Sequence, residues 1–371
     1  MSPLYNVLLT NSTGIYAGGE FYVFQLAKAL QTRGHKVWVC SRPDNLLRAK
    51  CDEAGVPTIP LDFPPQGRLL RFVGSLKKII DQHRVHIVHT NSNYDRTAGA
   101  FAARLSGAKH VTNVHSFHSL RHNVTHVIRN SWATDHFIVD GICVRDMLVQ
   151  KDRIPGAKIS VVYLGVDPEE MKRDESRRIA LRTQLGYAPE NIVIGNVARL
   201  VPFKGHEYLL AAFARLSSRY PDIRLLLIGD GELRQELAGL ATSLGIGSRV
   251  TFAGFRDDLT AVYSAFDVYV HPSIEGGGET FPFAVLQALS QELPVVVTRV
   301  GDVAEMVEEG VNGYAIPEKD PSALAAQIAC LLENNSLRSR MGHQSRELLL
   351  RRFTTGRMVD GVEKIYRVVA G

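Results

Sequence analysis

The 371-residue chain is poor in cysteine, and its four cysteines (Cys40, Cys51, Cys143 and Cys330) are scattered with no CxxC spacing. That pattern argues against a zinc site or a disulfide framework and reads as a reducing, cytoplasmic compartment. No run of about 18 apolar residues occurs, so no membrane span is predicted. The opening Met-Ser-Pro-Leu-Tyr-Asn-Val-Leu-Leu-Thr has neither a basic leader nor a cleavage site and reads as the start of a strand rather than a signal peptide. The first strand-to-helix turn is not GxGxxG, which disfavours a nicotinamide cofactor. No basic stripe interleaved with aromatics is seen, and no recognised nucleic-acid motif, so nucleic acid is disfavoured as a partner.

What is present is ordinary for a globular protein: 45% hydrophobic and 22% charged residues, and a length that predicts two domains. The charge is uneven. Residues 1–170 hold 20 Lys+Arg against 14 Asp+Glu, the remainder 23 against 24, and ten of the 13 histidines fall in the first part. A basic N-terminal half suits an anionic partner or an anionic membrane surface; ordinary surface charge on an α/β domain accounts for it as well.

One stretch, Val268 to Val297, organises the rest. A short apolar strand, Val268–Val270, leads into a loop with Gly276, Gly277 and Gly278 flanked by Glu275 and Glu279. A helix follows, with Thr280 as the expected N-cap, Pro282 in its first turn, and Val285, Leu286 and Leu289 as its buried face. Pro294 closes it before the strand Val295–Val297. Glycines let backbone approach a ligand, and a helix N-terminus favours an anion. Gln287 lies about two turns along, roughly 10 Å from the helix start. An anion at the helix start would therefore leave Glu279 and Gln287 for neighbouring groups. A plain strand–loop–helix junction is the alternative.

Strand–helix alternation runs through both halves. In the first, a strand at Val7–Leu9 leads to Gly18-Gly19-Glu20, the usual phosphate-approach position of doubly wound folds, and a helix with Phe24, Ala27 and Leu30 on one face. Further strands are expected at Lys36–Cys40, Val85–His89, His110–Val114, His136–Val139 and Ile159–Val162, with a polar loop over Thr90–Tyr94. The stretch Arg68 to Ile80 is basic and amphipathic, either a sheet-covering helix or a lipid-surface helix. His115 and His118 follow the strand ending at Val114, at the carboxyl edge where open sheets bind ligands. A metal held by that pair lacks further ligands nearby. Glu169–Arg178 reads as an inter-domain linker. In the second half, the strand Ile192–Val197 is followed by Arg199 and Lys204 on one loop, two cations suited to a diphosphate. Arg224–Ile228 with Gly229, Val250–Phe252 with Arg256, and a terminal helix over Arg357–Val369 complete the pattern.

These segments, taken in order, resemble the family 4 retaining glycosyltransferases. Pro272-Ser273, Glu279, Phe281, Ala288 and Pro294-Val295-Val296 follow that family's signature, and Ala198-Arg199-Leu200 with Lys204-Gly205 follows its Gly-Arg-Leu and Lys-Gly. Gln287 stands where the family has a second Glu, Pro282 where it has Gly, Leu164 where it has Asn, and Asp140 where it often has Ser. The resemblance implies the GT-B fold: two doubly wound Rossmann-like α/β domains facing a cleft, residues 1–168 and 169–354, with residues 355–371 packing back on the first. It implies retaining transfer of a hexosyl or N-acetylhexosaminyl group from a nucleoside-diphosphate sugar, UDP favoured over GDP, to an acceptor hydroxyl in cell-surface glycan or glycolipid synthesis.

In that reading Arg199, Lys204, Glu279 and His115 are catalytic. Gly18, Gly19, Gly229, Arg256, Thr280, Phe281, Pro282, Phe283 and Gln287 bind the donor. No metal or other cofactor is expected, since the chain has no Asp-x-Asp. The partners implied are the nucleotide sugar and a glycan or lipid-linked acceptor, with a cytoplasmic location and peripheral association with the inner face of an anionic membrane. Two alternatives stay open: a sugar-nucleotide epimerase or hydrolase using Glu275 and Glu279 as an acid/base pair, and an inactive donor-binding partner subunit.

Overall fold

The computed structural model describes residues 3–14, 17–63, 69–120 and 123–371. Arg68, the first residue of the basic stretch, lies outside them, as does part of the loop before Gly18. The chain forms two compact units, residues 1–165 with 355–371, and residues 166–354.

The first unit is built on the strands β1 (Asn6–Asn11), β2 (Lys36–Ser41), β3 (Thr58–Pro60), β4 (Ile87–Thr90), β5 (Lys109–Val114), β6 (His136–Val139) and β7 (Ile159–Val161). They form one parallel sheet in the order β3-β2-β1-β4-β5-β6-β7. Parallel strands need crossovers, and helices supply them. The helix Leu69–Gln82 buries Phe72, Val73, Leu76 and Ile80 while Arg71 and Lys78 stay in solvent. Its apolar face therefore covers the sheet.

The second unit holds β8 (Ile192–Val197), β9 (Ile223–Ile228), β10 (Val250–Phe252), β11 (Val268–His271), β12 (Val295–Thr298) and β13 (Gly313–Ile316), again all parallel, in the order β10-β9-β8-β11-β12-β13. Their near-continuous apolar runs are what a sheet covered on both faces requires. Ile194, Leu225, Leu227, Val268, Val270 and Val296 pack with Leu209, Phe213 and Ile328 from the covering helices.

Several boundaries differ from the sequence reading. Thr90 is the last residue of β4, not the start of a loop, because its backbone pairs in register with Thr10 and Thr112 inside the sheet. The helix Asn93–Ser106 then absorbs Asn93 and Tyr94. Phe24 is only partly buried; Tyr22, Val23, Leu26, Ala27 and Leu30 form the inner face of that helix. The expected linker Glu169–Arg178 is instead tied into the second unit. Arg178 donates to the carbonyls of Ser264 and Phe266 and pairs with Asp267 at 2.7 Å, and Arg346 holds the carbonyl of Pro168.

The terminal helix Thr355–Ala370 belongs to the first unit and buries Met358, Val359, Val362, Ile365 and Tyr366. Its anchor is polar. Tyr366 Oη lies 2.7 Å from His89 Nδ1, and His89 Nε2 lies 2.7 Å from Asn113 Oδ1, all fully buried. Since an amide oxygen only accepts, Nε2 carries the proton and Nδ1 accepts from the tyrosine. Burial lowers the His89 pKa to about 4. Its contribution to stability is therefore complete above the ordinary value of 6.5 and is lost as the pH falls toward 4. Replacing Tyr366 with Phe leaves Nδ1 buried without a donor. Urea unfolding at neutral pH should show Tyr366→Phe less stable by about 1–3 kcal/mol; an unchanged midpoint would show that the helix is held by its apolar face alone.

Candidate active site

The strand order of the second unit makes β8 and β11 neighbours, with the chain winding outward from each in opposite directions. The crevice outside the carboxyl ends of such a pair is where open α/β sheets bind ligands. Arg199 and Lys204 follow β8, and the glycine-rich loop to Glu279 follows β11. The two loops are clamped together. The Ile274 N–H donates to the Phe203 carbonyl at 2.8 Å. A Cβ on Gly277 would lie 1.8 Å from the Phe203 ring. The absent side chain at Gly277 thus serves packing against Phe203, where the sequence suggested an approach to a ligand. The same ring carries Lys204 Nζ at 5.3 Å and Arg199 Cζ at 5.8 Å from its centroid. Arg199 is exposed, and its guanidinium makes no hydrogen bond or ion pair among the described residues.

Glu279 is the electrostatic centre. One carboxylate oxygen, Oε2, accepts from Lys204 Nζ, from Ser273 Oγ at 2.7 Å and from His271 Nε2 at 3.1 Å. Its other oxygen has no partner among the described residues. Burial alone would raise the Glu279 pKa, but the Lys204 charge and the His271 bond outweigh it and hold the carboxyl far below the usual range. His271 is buried, which lowers its pKa even against the pull of Glu279, and its Nδ1 faces Tyr269 Oη at 3.2 Å. A neutral imidazole donating through Nε2 fits both contacts. Glu279 is thus a fixed anion at neutral pH and not a proton donor. Glu275 is exposed, and its backbone N–H is held by Glu318 Oε2 at 2.7 Å. The structure gives this pair no acid/base coupling.

The helix after the loop runs Phe283–Ser290, later than the sequence placed it. Thr280 is not its N-cap; Pro282 is, with φ −75° and ψ 127°. Proline drives its predecessor out of helical backbone, so the helix waits until the proline has passed. The Thr280 carbonyl instead accepts the Asp302 N–H at 3.0 Å. Thr280, Phe281 and Phe283 are buried, and Phe281 stacks edge-on against Phe353 at 5.3 Å. Gln287 is 5% exposed, and its Oε1 accepts from Tyr263 Oη at 3.1 Å. Gly229 has φ +128°, and a Cβ there would lie 2.0 Å from the Ala198 carbonyl, so only glycine lets this turn pack beneath the Arg199 loop. Its N–H bonds to the Gly254 carbonyl at 2.8 Å, which brings the Arg256 loop alongside. The Arg256 guanidinium is engaged by Asp258, with Nε at 2.8 Å.

In the first unit, Gly18 and Gly19 are the first residues of the helix Gly18–Thr32 rather than the end of a loop, with Ala17 as N-cap. Glu20 turns back onto the Ala17 N–H at 2.8 Å and Asn11 Nδ2 at 3.0 Å, which starts the helix early. His115 sits at the end of β5. Its Nδ1 lies 2.7 Å from Asp140 Oδ2, and its ring meets Tyr22 edge-on at 4.8 Å.

The family description "Glycosyl transferases group 1" matches residues 178–348, and "Glycosyltransferase Family 4" matches residues 16–170. The chain belongs to the family 4 glycosyltransferases. It is 26% identical to the putative glycosyltransferase EpsD of Bacillus subtilis over 363 residues, covering 94% of this chain and 93% of that one. It is 26% identical over 310 residues to the UDP-Gal:alpha-D-GlcNAc-diphosphoundecaprenol alpha-1,3-galactosyltransferase of Escherichia coli, covering 79% of this chain and 78% of that one. Among solved structures, Anabaena HepE in complex with UDP superposes with a TM-score of 0.86 at 23% identity, over 98% of this chain and 100% of that one. The fold is that of the GT-B glycosyltransferases.

Sequence reasoning about this glycosyltransferase missed four partners. His271 and Ser273 continue the alternation of β11 and so reach the side on which Glu279 returns. Asp140 faces His115 because β5 and β6 pair Val114 with Val139, which sets the next two residues side by side. Tyr263 had no sequence signal, since its bond to Gln287 joins two helices. Among the described residues no cluster of three or more metal-ligating side chains occurs.

The Glu279 charge makes the pH dependence specific. A carboxyl with a depressed folded-state pKa contributes fully above its ordinary value of 4.5 and progressively less below it. The stability gap between the wild type and Glu279→Gln should be largest above pH 5 and shrink by about 1.4 kcal/mol per pH unit below about pH 4.5. Thermal unfolding from pH 7 to pH 3 measures it; a constant gap would mean that the carboxylate charge is not what Lys204 holds.

Proposed function

We propose that this glycosyltransferase moves a hexosyl or N-acetylhexosaminyl group from a nucleoside-diphosphate sugar to an acceptor hydroxyl with retention of configuration, in cell-surface glycan or glycolipid synthesis. The observation that carries this reading is the trio at the switch point: Arg199 exposed and unspent, Lys204 beside it, and Glu279 with one oxygen saturated by the protein and one left. Arg199 and Lys204 offer N–H groups to a departing diphosphate, the charge that develops as the sugar–phosphate bond breaks. The remaining Glu279 oxygen accepts from sugar hydroxyls.

The acceptor oxygen bonds to the sugar carbon on the face that the phosphate leaves, and the acceptor proton passes to that phosphate, so no side-chain nucleophile is needed. A carboxylate as strongly fixed as Glu279 suits positioning better than attack. In the first unit, Asp140 occupies Nδ1 of His115, and this reading turns Nε2, which lies 3.5 Å from Asn113 Nδ2, toward a substrate hydroxyl. The first-turn amides after Pro282 assist the diphosphate, and Gln287 meets the ribose through its amide group. Side-chain cations meet the diphosphate charge, so the reading needs neither metal nor cofactor. The UDP and UDP-glucose complexes of HepE favour UDP over GDP as the carrier.

Thermal unfolding with saturating UDP, GDP, ADP and dTDP, each without metal, tests the donor. A ligand at 100 times its Kd adds about 2.7 kcal/mol, and UDP should stabilise most. No shift with any of the four would overturn the reading. Lys204→Ala should cut turnover at least ~100-fold; near-normal turnover in that variant would remove the diphosphate role.

A further inference from the structure

A second concavity, of about 390 Å³, lies wholly within the first unit. Its walls come from the start of the helix Asn93–Ser106, which follows β4, from the segment after β5, and from the helical residues around His126 and Arg129. This is the carboxyl edge of the first sheet, next to its own switch point between β1 and β4.

Two arginines line the cavity, and both are almost completely buried: Arg96 is 3% exposed and Arg129 2%. Arg96 donates to Thr112 Oγ1 at 2.9 Å, Asn93 Oδ1 at 2.9 Å and the Asn113 carbonyl at 2.8 Å. Arg129 donates to Asn130 Oδ1 at 2.8 Å, Thr97 Oγ1 at 2.9 Å and the Leu120 carbonyl at 2.8 Å. Every one of these acceptors is neutral. Among the described residues, neither guanidinium has a carboxylate within ion-pair distance.

Asp152, whose field reaches both arginines, spends its oxygens on Ser119 Oγ and the Leu120 N–H. Asp95 is bound to Thr10 and the Ser92 N–H, and its charge acts on Arg96 through space. Burial, and then the charge of Arg96, pulls the Arg129 pKa down to about 9. Two like charges are therefore held together with direct hydrogen bonds to neutral acceptors only, while Asp95 and Asp152 act on them through space and keep their oxygens on other donors. Each guanidinium has five N–H groups, of which three are used, so both keep donors in reserve. His118, exposed at the cavity edge, and Ser119 add polar groups to the lining.

We propose that this cavity binds a phosphate-class oxyanion carried by the acceptor. The phosphate chemistry rests on the cavity alone, and its assignment to the acceptor rests on the glycosyl-transfer reading. A cavity of this volume holds more than a bare phosphate, which suits a phosphorylated sugar or the phosphate of a lipid carrier.

The test is a titration of inorganic phosphate and of a hexose phosphate at constant ionic strength, followed by thermal unfolding, with saturating UDP present to occupy the donor site. The wild type should be stabilised by both. His118→Glu places a negative charge at an exposed position and should weaken the apparent phosphate affinity roughly tenfold or more. Arg129→Lys keeps the charge but loses the planar fork, and should weaken it as well. Lys204→Ala should retain the phosphate response. Absence of stabilisation in the wild type, or equal stabilisation in wild type and His118→Glu, would overturn the proposal. A parallel titration without UDP separates the two readings, since loss of the UDP response alone speaks only to the donor.

Retention on phosphatidylcholine vesicles containing phosphatidic acid, lost in His118→Glu, would assign the phosphate to a lipid. A response to the hexose phosphate without vesicle retention would assign it to a soluble acceptor.

Discussion

A single buried carboxylate constrains the second unit. Placing either Lys204 or Glu279 alone at 13% and 8% side-chain exposure would cost several kcal/mol of lost hydration. Together they are tolerable only because Ser273 and His271 add hydrogen bonds to the same oxygen and Tyr269 supports the histidine behind it. That requirement reaches back into the sheet. Lys204 follows β8 and Glu279 follows β11, so the pair forms only when those strands are neighbours, with Val268 against Ile194 and Tyr269 against Gly195. The Phe203 ring, seated on Gly277, then places two cations over one face of the crevice. The charge that holds the loops together is also the charge on which the proposed glycosyl transfer draws.

The first unit solves a related problem differently. Its sheet interior is unusually polar, with Thr90, His110, Thr112, Asn113 and His89 all buried on strands. Asp140 and His115 form a charge-capable pair across adjacent strand ends, as Lys204 and Glu279 do in the second unit. Arg96 and Arg129 are bound directly by amide, hydroxyl and carbonyl oxygens, with the carboxylates of Asp95 and Asp152 acting only through space. Neutral acceptors satisfy hydrogen-bonding geometry but use only three of the five N–H groups of each guanidinium.

Much of the architecture could be read from residue order. β6 and β8 fall where the apolar runs placed them, because a strand buried on both faces has no polar interruption to blur its ends. The helix face of Val285, Leu286 and Leu289 is fully buried for the same reason. Helix starts were less legible. Thr280 looked like a cap by residue type, but the proline two positions later controlled the backbone. Gly18 and Gly19 looked like a loop, but Glu20 closed a hydrogen-bonded turn around them. Glu169–Arg178 looked like a linker because it is polar, whereas Arg173 and Arg178 are spent on carbonyls of the second unit.

By itself, the sequence determined the two α/β units, the family, and the loop that carries each of Arg199, Lys204, Glu279 and His115, since periodicity and ordered motifs are local properties. Tertiary structure alone decided what those side chains meet. His271 and Ser273 on Glu279, Phe203 under the cations, Asp140 on His115, and two arginines around one cavity are contacts between segments distant along the chain. They arise from strand order and register, which burial of the whole sheet sets and no local run of residues encodes.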